Sequence, residues 1–474
     1  MKDKICDKKM KFEDCEIAIL RNAVDKAQEN IGAKIVKSPE VVKILLILEN
    51  FLKSKKLVCY GGTAINSILP EKDKFYNKNI EIPDYDFFTP NALEDAIELC
   101  NIYYKEGFEE VEGKSGVHHG TYKVYVNFIP IADITQLHKD IFTAIKKESI
   151  NVDGILFAPP NFLRMSMFLE LSRPLGDVSR WEKVLKRLIL LNNNYPLTGK
   201  DCNKMEIQRD MYDKKNEELI FNTVENSLIK QGVVFFGGYA LSLYSRYMPN
   251  YSKQKLENYP DFDVLSEEPH KISLIIKQRL KDIGINNVKI IKKPAIGEII
   301  AKHYEIIVGE DTILFIYEPL ACHSYNTIKI DNNFVKIATI DTMLSFYLAF
   351  LYSGRNYYDT NRILCIAQYL FLLQQHNRLK QHGLLKRFTN SCYGHQETIE
   401  EIREKKSVKY MELKNKKNTQ EFKEYFFKYR PSENLTDKSK GNANEKNKYK
   451  NKKTINKRKN KTKTKKRGRG GLFI

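Results

Sequence analysis

The sequence predicts an α/β (α+β) protein in which one module, a mixed sheet flanked by helices, occurs twice. Two observations carry this. Short apolar runs of strand composition alternate with stretches of helical spacing, and four blocks of the first half return in the same order in the second. "LVCYGGTAINSILP" at 57–70 matches "VVFFGGYALSLYSRYMP" at 233–249, and "IPDYDFF" at 82–88 matches "YPDFDVL" at 259–265. The spacing is kept: Gly62 and Asp84 are 22 positions apart, Gly238 and Asp261 are 23. "NFIPIADIT" at 127–135 aligns with "IYEPLACHS" at 316–324, and "DVSRWEKVLKRLILL" at 177–191 with "DTNRILCIAQYLFLL" at 359–373. The boundaries read from these blocks are 1–200 for a first, catalytic module and 201–376 for a second, inactive one. A helical segment at 377–437 and a Lys/Arg-rich tail at 438–474 follow.

Each copy opens on a helix, "SPEVVKILLILENFLKSKK" in the first and "NEELIFNTVENSLIKQ" in the second. Ser38 is a natural N-cap, with Pro39 at the first helical position, where a missing N–H does no harm. An apolar strand ends in Gly-Gly and passes into a helix, and a strand carrying two acids comes next. "TYKVYVNFIPIADIT" reads as one later strand. In "RWEKVLKRLILL", Trp181, Val184, Leu188 and Leu191 recur at helical spacing and mark a buried face.

The chain of 474 residues carries a formal net charge of +20. Between Lys438 and Gly470 there are 16 Lys or Arg and one acid, Glu445, so most of the excess lies in the tail. Such a tail has too few apolar residues to fold alone. It points to a polyanionic partner, with RNA phosphates placed ahead of a nuclear address or a solubilising role. The eight cysteines show no CxxC spacing, which reads as reduced, intracellular thiols without structural zinc. "MKDKICDKKMKFEDCEI" has no apolar core of signal-peptide length, and "VVKILLILENFL" and "TMLSFYLAFLY" are too short or too interrupted to span a bilayer, so no membrane partner is expected. His118 and His119, next to Gly120, read as loop rather than metal ligands.

The chemistry is suggested by the glycines and the acids together. Residues i and i+2 of a strand face one side, so Asp84 and Asp86 present two carboxylates that repel unless a cation lies between them. Mg²⁺ takes one or two carboxylates together with substrate phosphate oxygens. Gly61 and Gly62 let backbone approach a ligand, and the following helix turns free N–H groups toward phosphate. A lone Gly-Gly turn or a lone DxD is common; the ordered combination reads as a site for a nucleoside triphosphate and a metal.

On these residues the chain resembles polymerase-β-type nucleotidyltransferases. Through "YGGTAINSILP", "IEIPDYDFF", "VNFIPIADIT" and "APPNFLRMSMFLELSRPLGDVSRWEKVLKRL" it is similar to the poly(A) polymerase catalytic subunits of large DNA viruses, the giant-virus type above all. The resemblance implies two tandem nucleotidyltransferase modules and template-independent addition of AMP from ATP to an RNA 3′ end with Mg²⁺ or Mn²⁺. It also implies a homodimer or a processivity subunit as partner, and a place in the cytoplasmic viral factory or the virion. Asp84 and Asp86 become catalytic metal ligands, and Gly61, Gly62 and Thr63 the triphosphate cradle. An oligoadenylate or cyclic-dinucleotide synthase, a tRNA-end nucleotidyltransferase and a non-catalytic RNA-binding scaffold remain as alternatives.

The family pattern places a third acid early in the later strand, where this chain has Asn127. The next acid along is Asp133, and six residues of strand span about 20 Å. Either the strand bends at Pro130, or Asn127 supplies a neutral oxygen, or two acids suffice. Asp133 is assigned here as the third catalytic acid. In the second copy Cys322 aligns with Asp133 and Ile316 with Asn127, while Lys183, Lys186 and Arg187 align with Cys365, Gln368 and Tyr369. The first copy thus keeps its cations, Lys183 first among them as a nucleotide-binding residue.

Overall fold

A computed structural model describes residues 5–7, 9–202, 211–212, 214–248, 261–330, 332–355 and 358–433. The basic tail at 438–474 lies outside the described residues.

The strands are β1 (Val58–Tyr60), β2 (Tyr85–Thr89), β3 (Val111–Ser115), β4 (Thr121–Val126), β5 (Ile129–Gln136), β6 (Ile150–Val152), β7 (Ile155–Phe157), β8 (Val234–Phe236), β9 (Phe262–Leu265), β10 (Val288–Lys293), β11 (His303–Val308), β12 (Asp311–Tyr317), β13 (His323–Ile330), β14 (Asn333–Ala338), β15 (Cys392–Tyr393) and β16 (Lys428–Tyr429). They form two eight-stranded sheets, ordered β16-β3-β4-β5-β2-β1-β7-β6 and β10-β11-β12-β9-β8-β14-β13-β15. Without the added edge strands β16 and β15, the two orders match strand for strand. The senses match too. β2 runs parallel to β5 as β9 does to β12, and β1 parallel to β7 as β8 does to β14. The repeat read from four sequence blocks is a repeat of topology.

The two sheets share one continuous core. Helix Pro160–Leu171 of the first copy packs on helix Ile340–Phe350 of the second, every residue of which is buried. Phe162 meets Tyr352 edge-on at 5.3 Å, and the Ser324 N–H donates to the Ser172 carbonyl at 2.8 Å across the joint. An apolar joint with main-chain bonding resembles the inside of a domain, so the copies are held as one body.

Local signals explain most boundaries. Ser38 accepts a hydrogen bond from the Val41 N–H and caps helix Pro39–Lys55, as its sequence predicts. One predicted strand divides. Asn127 and Phe128 both take positive φ (48° and 65°), and Val126 pairs with Ile129 across them. That is a two-residue hairpin loop, in which Asn tolerates the left-handed conformation. "TYKVYVNFIPIADIT" is therefore a hairpin, not one strand. The helix Phe12–Val36 buries no residue; its Ile17, Leu20, Val24 and Ile31, at helical spacing, are exposed.

The C-terminal segment contains the expected polar helices, Ile399–Leu413 and Gln420–Phe426. It also does more: it returns as β16 to cover the β3 edge of the first sheet. Arg387 fastens its start. The guanidinium donates to both carboxylate oxygens of the buried Asp341, at 2.6 and 3.1 Å, a two-pronged pairing with planar fit.

The expectation of reduced cysteines is corrected. Cys6–Cys15, Cys202–Cys365 and Cys322–Cys392 are disulfide-bonded, while Cys59 and Cys100 are buried thiols. Two of the bridges close loops of 163 and 70 residues. Pairing over such separations leaves no mark in local spacing.

His323, at the start of β13, is buried against Phe346, and neither ring nitrogen finds a hydrogen-bond partner among the described residues. Burial, then the nearby Arg173 charge, pushes its pKa down from 6.5 to about 3. In that window the unfolded chain binds a proton that the folded chain refuses, so stability falls as pH drops from 6.5 toward 3. The expected slope is at most about 1.4 kcal/mol per pH unit. His323→Phe keeps the aromatic packing and removes the titration. Urea unfolding at several pH values should therefore show a shallower acid-side loss for the variant, and an identical slope would contradict the assignment.

Candidate active site

In the first copy β1 ends at Tyr60 and the helix Gly61–Ile68 begins at once. Gly61 has φ +73°, and a Cβ there would lie 2.5 Å from Asp86 Oδ2. Glycine is required twice over, by its backbone and by the carboxylate seated against it. A Cβ on Gly62 would meet the Tyr76 hydroxyl at 2.8 Å and Arg187 Nη2 at 2.9 Å. The Gly-Gly pair is thus a close-packed floor between an acid and a cation.

The sheet register assembles the acids. Tyr60 pairs with Asp86, Asp86 with Asp133, and Asp133 with Lys123. Residues directly opposite on neighbouring strands share a face, so β1, β2, β5 and β4 present one lateral row: Tyr60, Asp86, Asp133, Lys123. Asp84 adds a third carboxylate just before β2. This answers the question left by the sequence. Asp133 lies beside Asp86 because the chain reverses at Asn127, not because a strand bends at Pro130. Asn127 stands at the far end of the hairpin and donates to Glu40, away from the row.

The three acids act on one another. Burial chiefly, then Asp84 and Asp133, raises Asp86 to about 7. Asp84 is raised by burial and then by Asp133. Cations counter this: Lys123 donates to Asp133 and lies near both other acids, Arg180 acts on Asp86, and Lys183 on Asp84. Among the described residues no three acid, His or Cys side chains close on one point as a ready cage. Oxygen donors that need a cation, with one of them occupied by a lysine ammonium, fit a hard divalent ion completed by substrate phosphate. Asp84, Asp86 and Asp133 are the side chains that could hold one.

The other predicted residues are placed as follows. Thr63 is buried, and its hydroxyl donates to the Asp84 carbonyl at 2.6 Å. It fixes the acid-bearing segment, and only its N–H, in the first turn of the helix, is left to face phosphate. Lys183 is exposed on helix Trp181–Asn194. Arg187, which ranks behind Lys183 in the sequence, lies closer in. It donates to the Tyr76 hydroxyl, stacks on Phe75 and Tyr76 at 5.0 and 5.4 Å from the ring centres, and covers Gly62. Asn66 holds this aromatic pair by accepting from the Phe75 and Tyr76 N–H groups. The helix bearing both cations is anchored by the buried Arg164, which donates to Asn192 at 2.7 Å and to the Tyr195 carbonyl.

The second copy keeps the frame and has lost the row. Phe236 pairs with Asp263, Asp263 with Phe315, and Phe315 with Glu305. The position equivalent to Asp133 is therefore Phe315, not Cys322. The sequence alignment set Pro130 against Pro319, but β12 ends at Tyr317, before that proline. Cys322 and Cys365, the aligned partners of Asp133 and Lys183, are both in disulfides. Phe236 packs on Tyr317 and Phe346 at 5.4 and 4.9 Å, and Asp261 and Asp263 line a small cavity of about 50 Å³ with Phe315, Tyr358 and Arg362.

This geometry meets known proteins at the same point. Residues 46–177 match the family model of the poly(A) polymerase catalytic subunit. The segment spans Gly61, Asp84, Asp86 and Asp133 and stops short of Lys183. Over 231 residues the chain is 31% identical to a protein of Acanthamoeba polyphaga mimivirus provisionally named a poly(A) polymerase catalytic subunit, covering 47% of this chain and 38% of that one. A protein of African swine fever virus with the same provisional name is 31% identical over 164 residues, 33% of this chain and 34% of its own. The matched segments thus span little more than a third of either relative. The crystal structure of the Megavirus polyadenylate synthase shares the fold, with a TM-score of 0.75 at 18% identity over 92% of this chain and 89% of that one. The resemblance expected from the motifs, and the tandem mixed α/β fold with it, are borne out.

Gly61→Ala should strain the positive φ and displace the Asp86 carboxylate. The expected result is a folded protein whose thermal midpoint no longer rises with Mn²⁺; an undiminished Mn²⁺ response would count against the row as a metal site. Asn127→Gly, by contrast, should leave that response intact and shift stability by no more than about 1 kcal/mol.

Proposed function

We propose that this chain is a template-independent poly(A) polymerase that adds AMP from ATP to the 3′ end of mRNA. The observation that carries the reading is the register of Asp86 against Asp133 beside the glycine-started helix. It gathers three carboxylates and helix N–H groups at one end of one sheet. The likeness to viral poly(A) polymerase catalytic subunits over 46–177 supports ATP and RNA as the substrates.

In the reaction the RNA 3′ oxygen bonds to the α-phosphorus of ATP, the bond from that phosphorus to the bridging oxygen breaks, and pyrophosphate leaves. The hydroxyl proton passes to solvent. Divalent cations, when bound, supply charge neutralisation on the triphosphate and a more acidic 3′-hydroxyl. Asp84, Asp86 and Asp133 hold them. The N–H groups of Gly61, Gly62 and Thr63 meet the triphosphate at the positive end of their helix. Lys183 and Arg187 balance the negative charge that the leaving pyrophosphate gathers. No covalent intermediate is needed, since positioning and charge compensation supply most of the rate.

We further assign catalysis to the first copy alone, with the second as support or RNA contact. The basic tail is proposed to retain RNA between additions. A second copy of the chain or a processivity subunit is the proposed protein partner.

A primed tailing assay with each of the four nucleotides separates this reading from its rivals. Long A-tails on the primer are expected; short 2′-linked or cyclic products, or no ATP consumption, would sink it. Asp84→Ala, Asp86→Ala and Asp133→Ala should each reduce AMP incorporation by at least about a hundredfold, the scale expected when a group stabilising transition-state charge is removed. Asp261→Ala with Asp263→Ala should leave incorporation within a few-fold of the parent. A folded double variant that fails to incorporate AMP would make the second copy chemically active.

A further inference from the structure

Where the two copies and the C-terminal segment meet, a cleft of about 670 Å³ opens. It is lined by the β3–β4 turn (His118, His119), by Arg173 after helix Pro160–Leu171, and by Lys405, Lys406 and Tyr425 of the C-terminal helices. Glu298 and Glu397 are its acids, and Glu397 is paired with Lys405. Three features suit a phosphate strand. Arg173 is only partly buried as a residue, but its Nε is buried and has no hydrogen-bond partner among the described residues. Gln396, also on the wall, has an unpartnered buried Oε1, an acceptor suited to a sugar hydroxyl or base amino group of the strand rather than to its phosphates. Such groups are costly in isolation and are normally satisfied by a ligand or water. The third feature is aromatic: His119 stacks on Tyr425 at 4.2 Å between centroids, with 27° between the planes.

Two stretches of chain link the cleft walls to the acid row. Along β4, Thr121 follows the His118–His119 turn and lies two residues, about 7 Å of strand, from Lys123, which faces Asp133. On the other wall, Glu170 precedes Arg173 by three residues and holds Arg180 at 3.3 Å, the cation that acts on Asp86.

We propose that this cleft is the path by which the RNA strand reaches the acid row. Backbone phosphates lie on Arg173, Lys405 and Lys406, and a base extends the His119–Tyr425 stack. This rests on the polymerase reading above, and it assigns the growing strand a binding site formed by three parts of the chain.

The test uses the full chain and a short oligoadenylate with one photoreactive nucleotide near its 3′ end. Cross-links are expected in the peptides holding His118–His119 or Tyr425. Lys405→Gln with Lys406→Gln should weaken RNA binding about tenfold and reduce the slope of log affinity on log salt by about 1.4, or 0.7 for each lost phosphate contact. Lys406 also donates to the Gly116 carbonyl, so Tyr425→Leu serves as a second variant. It should weaken RNA binding with the salt slope unchanged. The thermal shift given by ATP with Mg²⁺ should match the parent in both. Parent-like affinity and slope in both folded variants, or cross-links confined to the 438–474 tail, overturn the cleft while leaving the polymerase standing. A parent chain that turns ATP only into primer-free products overturns both.

Discussion

The first copy is organised around a repulsion. Asp84, Asp86 and Asp133 occupy one partly buried space, and burial chiefly, then the charges of Asp84 and Asp133, raises the Asp86 pKa to about 7. Like charges at such range are tolerated only if something offsets them. The surroundings supply the offset: Lys123 across the sheet, Arg180 and Lys183 from the helical side, and the positive end of the Gly61–Ile68 helix. Much of the neighbouring architecture keeps these groups in place. Gly61 leaves room for Asp86, the Thr63 hydroxyl ties down Asp84, and Arg164 fixes the helix carrying Lys183 and Arg187. The result is a site that gains from accepting a cation with its phosphate partner and has little other means of relaxing.

The second copy shows the same frame with the repulsion removed. Asp261 and Asp263 survive, but the register neighbours of Asp263 are Phe236 and Phe315. No carboxylate stands across from it in register, and Cys365, Gln368 and Tyr369 replace Lys183, Lys186 and Arg187, although Arg362 is kept in the place of Arg180. What this copy keeps is apolar mass. Its helix Ile340–Phe350 is buried along its whole length against the first copy. The continuous core makes this copy a foundation for the first.

The sequence disclosed whatever is local or repeated. Gly-Gly, the alternating acids and the Ser38 cap each act through neighbours a few residues away, and the duplication showed because its blocks kept their order. Features that depend on distant pairing were missed. The Asn127–Phe128 turn was hidden inside a run of β-forming residues, which made Asp133 seem too remote. Once the hairpin closes, register alone sets Asp133 beside Asp86. The same blindness aligned Cys322 with Asp133, although Phe315 holds that place, and left the long-range cysteine pairs unread. Arg187 was visible only as one cation among several. Its distinction is contact with Gly62 and Tyr76, 125 and 111 positions away.

The C-terminal segment extends the argument from chemistry to substrate. Read alone, 377–433 is a string of polar helices with little reason to take a fixed place. The Arg387–Asp341 pair fastens its start to the second copy, and β16 fastens its end to the first sheet, where Arg430 reaches Glu112 at 3.2 Å. Between those anchors the segment must cross the mouth between the copies, carrying Lys405, Lys406 and Tyr425 with it. The resulting wall is therefore a consequence of where the chain is tied rather than of helix propensity. On the proposed RNA path, Lys405 and Lys406 are cations set back from the acid row, close enough to steer the strand and far enough not to neutralise the site itself.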